Sequence, residues 1–231
     1  MSDFTTWRSL VDGEEIGVIP DSAIAQYDAQ VLDLDDGEGV TSWPDEIGDV
    51  GTLTGGTPTY QTDEINGNPA VVFDGTDDEL DVDFDSDETQ PYTIIIVAEI
   101  EDDDDDRGAA WGTPDGSREP SLNKEYNNGW VMYGDDEDAT FGGQPPEQNE
   151  IITNVVDDDN TELRINGSSQ GTGTFTDDLD GLLLGQRGDD FNDSFTTGPI
   201  AEVMLYDDGL DSDEIDDEEE RLSDKWGIDL S

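Results

Sequence analysis

Residues Tyr92-Thr-Ile-Ile-Ile-Val-Ala-Glu-Ile100 constrain this chain more than any other feature. The run is rich in β-branched residues and long enough to cross the centre of a sheet. It needs partner strands and a core in which to be buried.

The remaining apolar residues come in short runs, and acids fill the gaps between them. The chain carries 43 Asp and 20 Glu against 8 Lys and Arg, a net charge of −55. Taken alone, that balance reads as disorder. The hydrophobic fraction is nevertheless 32%, and 26 Gly among 231 residues add about 11%. The sum is close to that of an ordinary globular chain. The length implies one domain, or at most two.

The acids are spread over every segment, and only Lys124 and Lys225 are lysines. Such a surface fits a cytoplasm at molar salt, where the Debye length falls to about 3 Å and self-repulsion is screened. The same charge argues against nucleic-acid partners and anionic membranes. The chain has no Cys and no His, so thiolate sites, imidazole bases and Ser-His-Asp chemistry are excluded. There is no GxxxxGK phosphate loop. No stretch approaches 18 apolar residues, so no membrane insertion is expected. The start, MSDFTTWRSLVDGEEIGVIPD, shows neither a basic segment followed by an apolar one nor a twin arginine. The expectation is synthesis in a high-salt cytoplasm, with the product retained there or released by lysis.

Residues 1–22 read as an arm. Trp7, Leu10, Val11, Ile16, Val18 and Ile19 are apolar and Pro20 closes the segment. The arm is either an extra strand of the main domain or an attachment and oligomerisation segment that buries these side chains against a partner. Residues 23–231 form the main domain.

There, candidate strands are Ile24–Asp28, Val40–Trp43, Ala70–Asp74, Glu79–Phe84, Tyr92–Glu101, Ala109–Gly112, Gly129–Tyr133, Ile151–Val156, Leu163–Ile165, Leu182–Gly185 and Ile200–Tyr206. Asn166-Gly167 is a hairpin signal. The acid runs 102–106, 135–138 and 157–159 fall in loops. One helix is expected: Asp211 caps it, Glu214 completes a capping box, and Gly227 ends it. Ile215, Leu222 and Trp226 share a face, while Glu218, Glu219 and Glu220 face solvent or favour the helix start. The fold class is all-β: an antiparallel two-sheet β-sandwich of jelly-roll type with one short C-terminal helix.

The ordered motifs resemble the concanavalin A-like lectin/glucanase domains of laminin-G type. They are Ala25-Gln-Tyr-Asp-Ala29, Val40-Thr-Ser-Trp-Pro-Asp-Glu-Ile-Gly48 and Ile65-Asn-Gly-Asn-Pro-Ala-Val-Val-Phe-Asp-Gly75, followed by Asp77-Asp-Glu-Leu80. Leu163–Gly167, Leu182–Gly185, Gly198–Tyr206 and Lys225-Trp-Gly227 complete the series. The resemblance covers residues 24–230. It implies a concave and a convex sheet, with sugar or protein bound on the concave face or its rim, sometimes with calcium. Asp77 and Asp78 match the first half of that cation site. Ala201 stands where its second Asp would be, and alternation sends Glu202 to the opposite face. Calcium or another cation is the only cofactor implied.

Sugar recognition uses aromatic plates beside amide and carboxylate groups. Trp111, Tyr126, Asn127, Asn128, Trp130 and Tyr133 are the candidates, while Trp43 and Trp226 belong to packing. Some enzymes of this fold carry E-x-D-x-x-E on a strand. Glu214–Glu219 has those letters but lies in the helix, so no catalytic residues are assigned and a non-enzymatic protein is expected.

The role expected is a structural or adhesion protein of a haloarchaeal virus particle, located on the virion surface. It would bind other virion proteins through the arm, form a homo-oligomer, and meet a host glycan or glycoprotein. The alternative is a cellular carbohydrate-binding module of a halophile; a glycoside hydrolase ranks third. Dialysis from molar salt into dilute buffer is expected to abolish the folded circular-dichroism spectrum, and an unchanged spectrum would refute the salt dependence.

Overall fold

The computed structural model describes residues 8–11, 14–100, 108–114, 120–125, 129–134, 138–142, 148–187 and 195–231, with side chains from residue 19 onward. In chain order the strands are β1 (Arg8–Val11), β2 (Glu14–Val18), β3 (Ala23–Asp28), β4 (Ser42–Trp43), β5 (Leu53–Gly55), β6 (Thr59–Ile65), β7 (Asn68–Asp74), β8 (Leu80–Glu88) and β9 (Tyr92–Ala98). There follow β10 (Gly108–Trp111), β11 (Ser121–Glu125), β12 (Gly129–Tyr133), β13 (Ala139–Thr140), β14 (Glu150–Val156), β15 (Thr161–Ile165), β16 (Ser168–Gly173), β17 (Leu179–Leu184) and β18 (Thr197–Tyr206). Helix α1 (Ser212–Trp226) closes the chain. This is the expected antiparallel sandwich with a single C-terminal helix.

The back sheet has the order β16-β15-β14-β9-β18-β7-β6, with β3 also paired to β18. Its centre is the Tyr92–Ala98 run, held between β14 and β18. Ile94, Ile96 and Ala98 point into the core between the sheets. Ile95 and Val97 point outward, into a second apolar layer under α1. Both faces of the strand are therefore covered, which is why it carries no polar alternation.

The front sheet consists of β17-β8-β5-β4 and β10-β11-β12-β13. An antiparallel bridge joins the two sets: Gly112 N donates to Leu183 O at 2.9 Å and Leu183 N to Gly112 O at 2.8 Å. Trp43, Trp111, Trp130 and Phe175 fill the space between the sheets. Two Asn-Gly turns, with positive φ at Asn66, Gly67, Asn166 and Gly167, close β6–β7 and β15–β16. Residues 157–159 lie in the β14–β15 connection, as expected, and 102–106 lie outside the described residues.

Helix α1 starts where the capping box put it. Asp211 accepts from Asp213 N and Glu214 N, Glu214 reciprocates on Asp211 N, and Gly227 ends the helix in a left-handed conformation. Ile215, Leu222 and Trp226 enter the second layer. The expectation for Glu218 and Glu219 needs correction, because both are buried. Arg221 and the Tyr206 hydroxyl donate to Glu218. Arg164 donates to both oxygens of Glu219, and Thr153 donates to one of them. Cations on and beneath the helix draw these acids inward.

Glu202 of β18 is the hub of this layer. Lys225 Nζ donates to Glu202 Oε2 and to Asp28 Oδ2, both at 2.6 Å. Trp226 Nε1 donates to Glu202 Oε2 at 2.7 Å and Gln26 to its other oxygen at 2.8 Å. Burial alone would raise the Glu202 carboxyl, but Lys225 and Arg221 pull it down to about 2.

Residues 8–18 form a separate hairpin, with Leu10 opposite Glu15 and Val11 opposite Glu14. Its second strand runs beside α1. Leu10, Val11, Ile16 and Val18 lie on these strands, and Trp7 lies outside the described residues. Ile19 is a correction to the arm: it is buried in the layer under α1, so its side chain belongs to the sandwich.

Lys225→Met leaves Glu202 and Asp28 buried without their shared cation. A loss of about 3–5 kcal/mol is expected in urea unfolding at molar KCl. A loss below about 1 kcal/mol would show that the clamp does not hold the helix.

Candidate functional site

The back sheet's outer face is taken by α1, which leaves the outer face of the front sheet. Strand β8 sets its chemistry. Leu80, Val82 and Phe84 turn toward the core, so Asp81 and Asp83 turn outward. Strand β17 pairs with it in register, Leu182 opposite Val82 and Leu183 opposite Asp81. Leu182 and Leu184 therefore face the core, and Leu183 faces out.

On this surface lies a groove of about 690 Å³, with Asp81, Asp83 and Leu183 along it and Glu79, Asp87, Asp180 and Pro114 around them. Gly181 is required for its shape. A Cβ there would stand 2.6 Å from Pro114 Cδ, so only glycine lets the proline close the wall. Carboxylates accept hydrogen bonds, and half-buried Pro114 offers apolar contact above the buried Leu183. The groove thus suits a ligand rich in hydroxyl donors.

Beyond the Gly112–Leu183 bridge the same face continues over β10–β12. Register pairs Ser121 with Tyr133 and Asn123 with Val131, so Ser121, Asn123, Glu125 and Tyr133 share the outer side. Asn123 Nδ2 donates to Ser121 Oγ at 2.9 Å. The Asn123 Oδ1 atom is buried without a hydrogen-bond partner. The Tyr133 hydroxyl donates to Glu125, and the Arg187 guanidinium lies 3.8 Å above the Tyr133 ring centroid. Gly112 makes room here, since a Cβ would meet Arg187 O at 2.5 Å.

The structure separates the aromatic candidates. Trp111 is 1% exposed and Trp130 is 0% exposed, and both sit in the core between the sheets. Strand alternation turns them inward, so neither offers a plate to a sugar. Tyr133 does reach the outer face, half-buried, with one side of its ring under Arg187. Tyr126, Asn127 and Asn128 lie outside the described residues. The sequence reading missed Asp81, Asp83, Asp180, Asn123, Glu125 and Arg187. A signal for the first two was present: acids at every odd position from Glu79 to Asp87 around Leu80, Val82 and Phe84.

Asp77 and Asp78 lie in the connection from β7 to β8, close to Asp74 at the end of β7. Single oxygens of the three lie within 4.8 Å of one another. Asp78 is buried and accepts from Asp74 N at 3.1 Å. Burial raises its carboxyl above the ordinary range, and Asp74 and Asp77 raise it further. These residues could hold a hard cation through oxygen ligands. Glu202 takes no part, being committed to Lys225 on the other side of the back sheet.

No family model and no curated protein matches the sequence. Solved structures do. Domain 4 of AbnA, a GH43 extracellular arabinanase from Geobacillus stearothermophilus, in complex with arabinotriose, matches with a TM-score of 0.64 at 19% identity, over 85% of this chain and 97% of that one. Trypanosoma rangeli sialidase in complex with sialic acid matches with a TM-score of 0.64 at 12% identity, over 96% of this chain and 36% of that one. A botulinum neurotoxin type C structure, whose cell entry depends on interaction with two ganglioside molecules, matches with a TM-score of 0.63 at 11% identity, over 88% of this chain and 52% of that one. The chain thus spans about a third of the sialidase and half of the toxin chain. At such identities the likeness is one of fold, compatible with the concanavalin-like sandwich that the motifs resemble. It also corrects the expectation of a non-enzymatic protein, since the matching chains include a sialidase and a domain of an arabinanase.

Calcium added to chelator-treated protein in molar KCl is expected to give a calorimetric binding isotherm that Asp78→Asn abolishes. The absence of any heat would remove the cation from this connection.

Proposed function

We propose that this chain is a glycan-binding β-sandwich that works in molar salt and takes its ligand on the outer face of the front sheet. The groove along Asp81, Asp83 and Leu183 carries this reading. Sugar hydroxyls donating to carboxylates make charge-assisted hydrogen bonds, and the apolar face of a sugar ring fits Pro114. The similar domain 4 of AbnA, in complex with arabinotriose, supports it.

One observation favours a second reading in the same groove. Asp81 and Asp83 point to one side of β8, about 7 Å apart along the strand. Inverting glycosidases place their two carboxyl groups about 6.5–9.5 Å apart. A hydrolase would use one as acid and the other as base.

A narrower reading puts the sandwich on the surface of a haloarchaeal virus particle, facing a host glycan, with the 1–22 arm contacting other virion proteins or knitting a homo-oligomer. The acid excess and the apolar residues of the arm support it. A symmetric oligomer in molar KCl favours this particle role, and a monomer favours a cellular module.

Glycan-array binding in molar KCl, followed by calorimetry and product analysis on the bound oligosaccharides, separates the readings. Binding weakened at least tenfold in Asp83→Asn is the expected result. Cleavage lost in both Asp81→Asn and Asp83→Asn would establish the hydrolase instead. No binding to any glycan would refute the proposal.

A further inference from the structure

Glu150 opens β14 on the back sheet, and Lys124 lies near the end of β11 on the front sheet. Both side chains point into the space between the sheets. Glu150 shares its face with Ile152 and Val156, and Lys124 shares its face with Leu122 and with its cross-strand neighbour Trp130. Glu150 is 0% exposed and Lys124 is 2% exposed. They do not pair. Lys124 Nζ donates to Ile100 O at 2.8 Å, while both Glu150 oxygens are buried without a hydrogen-bond partner among the described residues. The indole N–H of Trp130, the cross-strand neighbour of Lys124, also has no hydrogen-bond partner among the described residues.

A bare carboxylate sealed in a core is strongly unfavourable. Two arrangements relieve it: a proton on the carboxyl, or direct contact with the nearby ammonium. We infer that Glu150 and Lys124 form a proton-operated latch between the two sheets. With the proton on Glu150, Lys124 stays on the Ile100 carbonyl. When the carboxyl O–H bond breaks and the proton leaves to solvent, the carboxylate draws Lys124 across into an ion pair.

The surroundings set where the latch turns. Burial lifts the Glu150 carboxyl to about 7, with Lys124 opposing the lift and Glu99 adding to it. The neighbouring strands present apolar residues, Ala98 of β9 directly opposite Glu150 and Ile165 of β15 opposite Ile152. Arg164 of β15 faces away, toward Glu219. The latch also reaches the ligand face, because Lys124 is followed by Glu125, which accepts from the Tyr133 hydroxyl on the outer side.

Tryptophan fluorescence followed against pH in molar KCl reads the latch through Trp130. The expected result is a transition with its midpoint near 7. It should be absent in Glu150→Gln and moved up by about one unit or more in Lys124→Met, where the favourable charge is gone. A transition of unchanged midpoint in Glu150→Gln would overturn the inference. Carbon NMR of the wild-type protein, labelled at the glutamate carboxyl carbons, tests it without substitution. One carboxyl titrating near 7 supports the latch, and titration of every glutamate below about 5.5 overturns it.

Discussion

One buried carboxylate, Glu202, organises the layer on which the sandwich rests. It accepts from Lys225, Trp226 and Gln26, and lies 3.5 Å from Arg221. Arg221 and Arg164 hold Glu218 and Glu219 in turn. A helix carrying eight acids in fifteen residues thereby docks on a sheet. Three of the chain's eight cations serve this joint. A fourth, Lys124, is buried in the core, and Arg187 is stacked on Tyr133. A net charge of −55 is compatible with a fold in which Arg164, Arg221 and Lys225 stand against the buried acids of this joint.

That joint decides which surface remains for a ligand. With α1 packed on the back sheet, the front sheet presents, among the described residues, an outer face that is open along the acids of β8. Its pleat gives that face its character, since β8 sends Leu80 and Val82 inward and Asp81 and Asp83 outward. Gly181 and Gly112 then let Pro114 and the Arg187 backbone close over it. The groove follows from strand register, two missing side chains and one covered sheet.

The fold was largely legible in the sequence because its signals are local. The Tyr92–Ile100 run, the Asn166-Gly167 turn and the Asp211/Glu214 capping box each act within a few residues, and each appears where expected. The site was less legible because it depends on facing. Trp111 and Trp130 have the composition of a sugar plate, but register turns them inward. The alternation from Glu79 to Asp87 held the groove's acids in plain view, yet in a chain with 63 acids their spacing was hidden by abundance. Glu218 and Glu219 show the same effect in reverse: abundance made them look solvated, whereas distant Arg164 and neighbouring Arg221 bury them. Short strands such as Ser121–Glu125 carry no pattern of their own and are fixed by their neighbours.

The central claim is that the ligand lies on the outer face of the front sheet. A crystal structure in molar KCl with the tightest-binding oligosaccharide tests it most directly. The expected result is sugar density along β8 and β17, with hydroxyls on Asp81 and Asp83 and a ring against Pro114. Sugar bound instead over α1, or beside Asp74, Asp77 and Asp78, would contradict it.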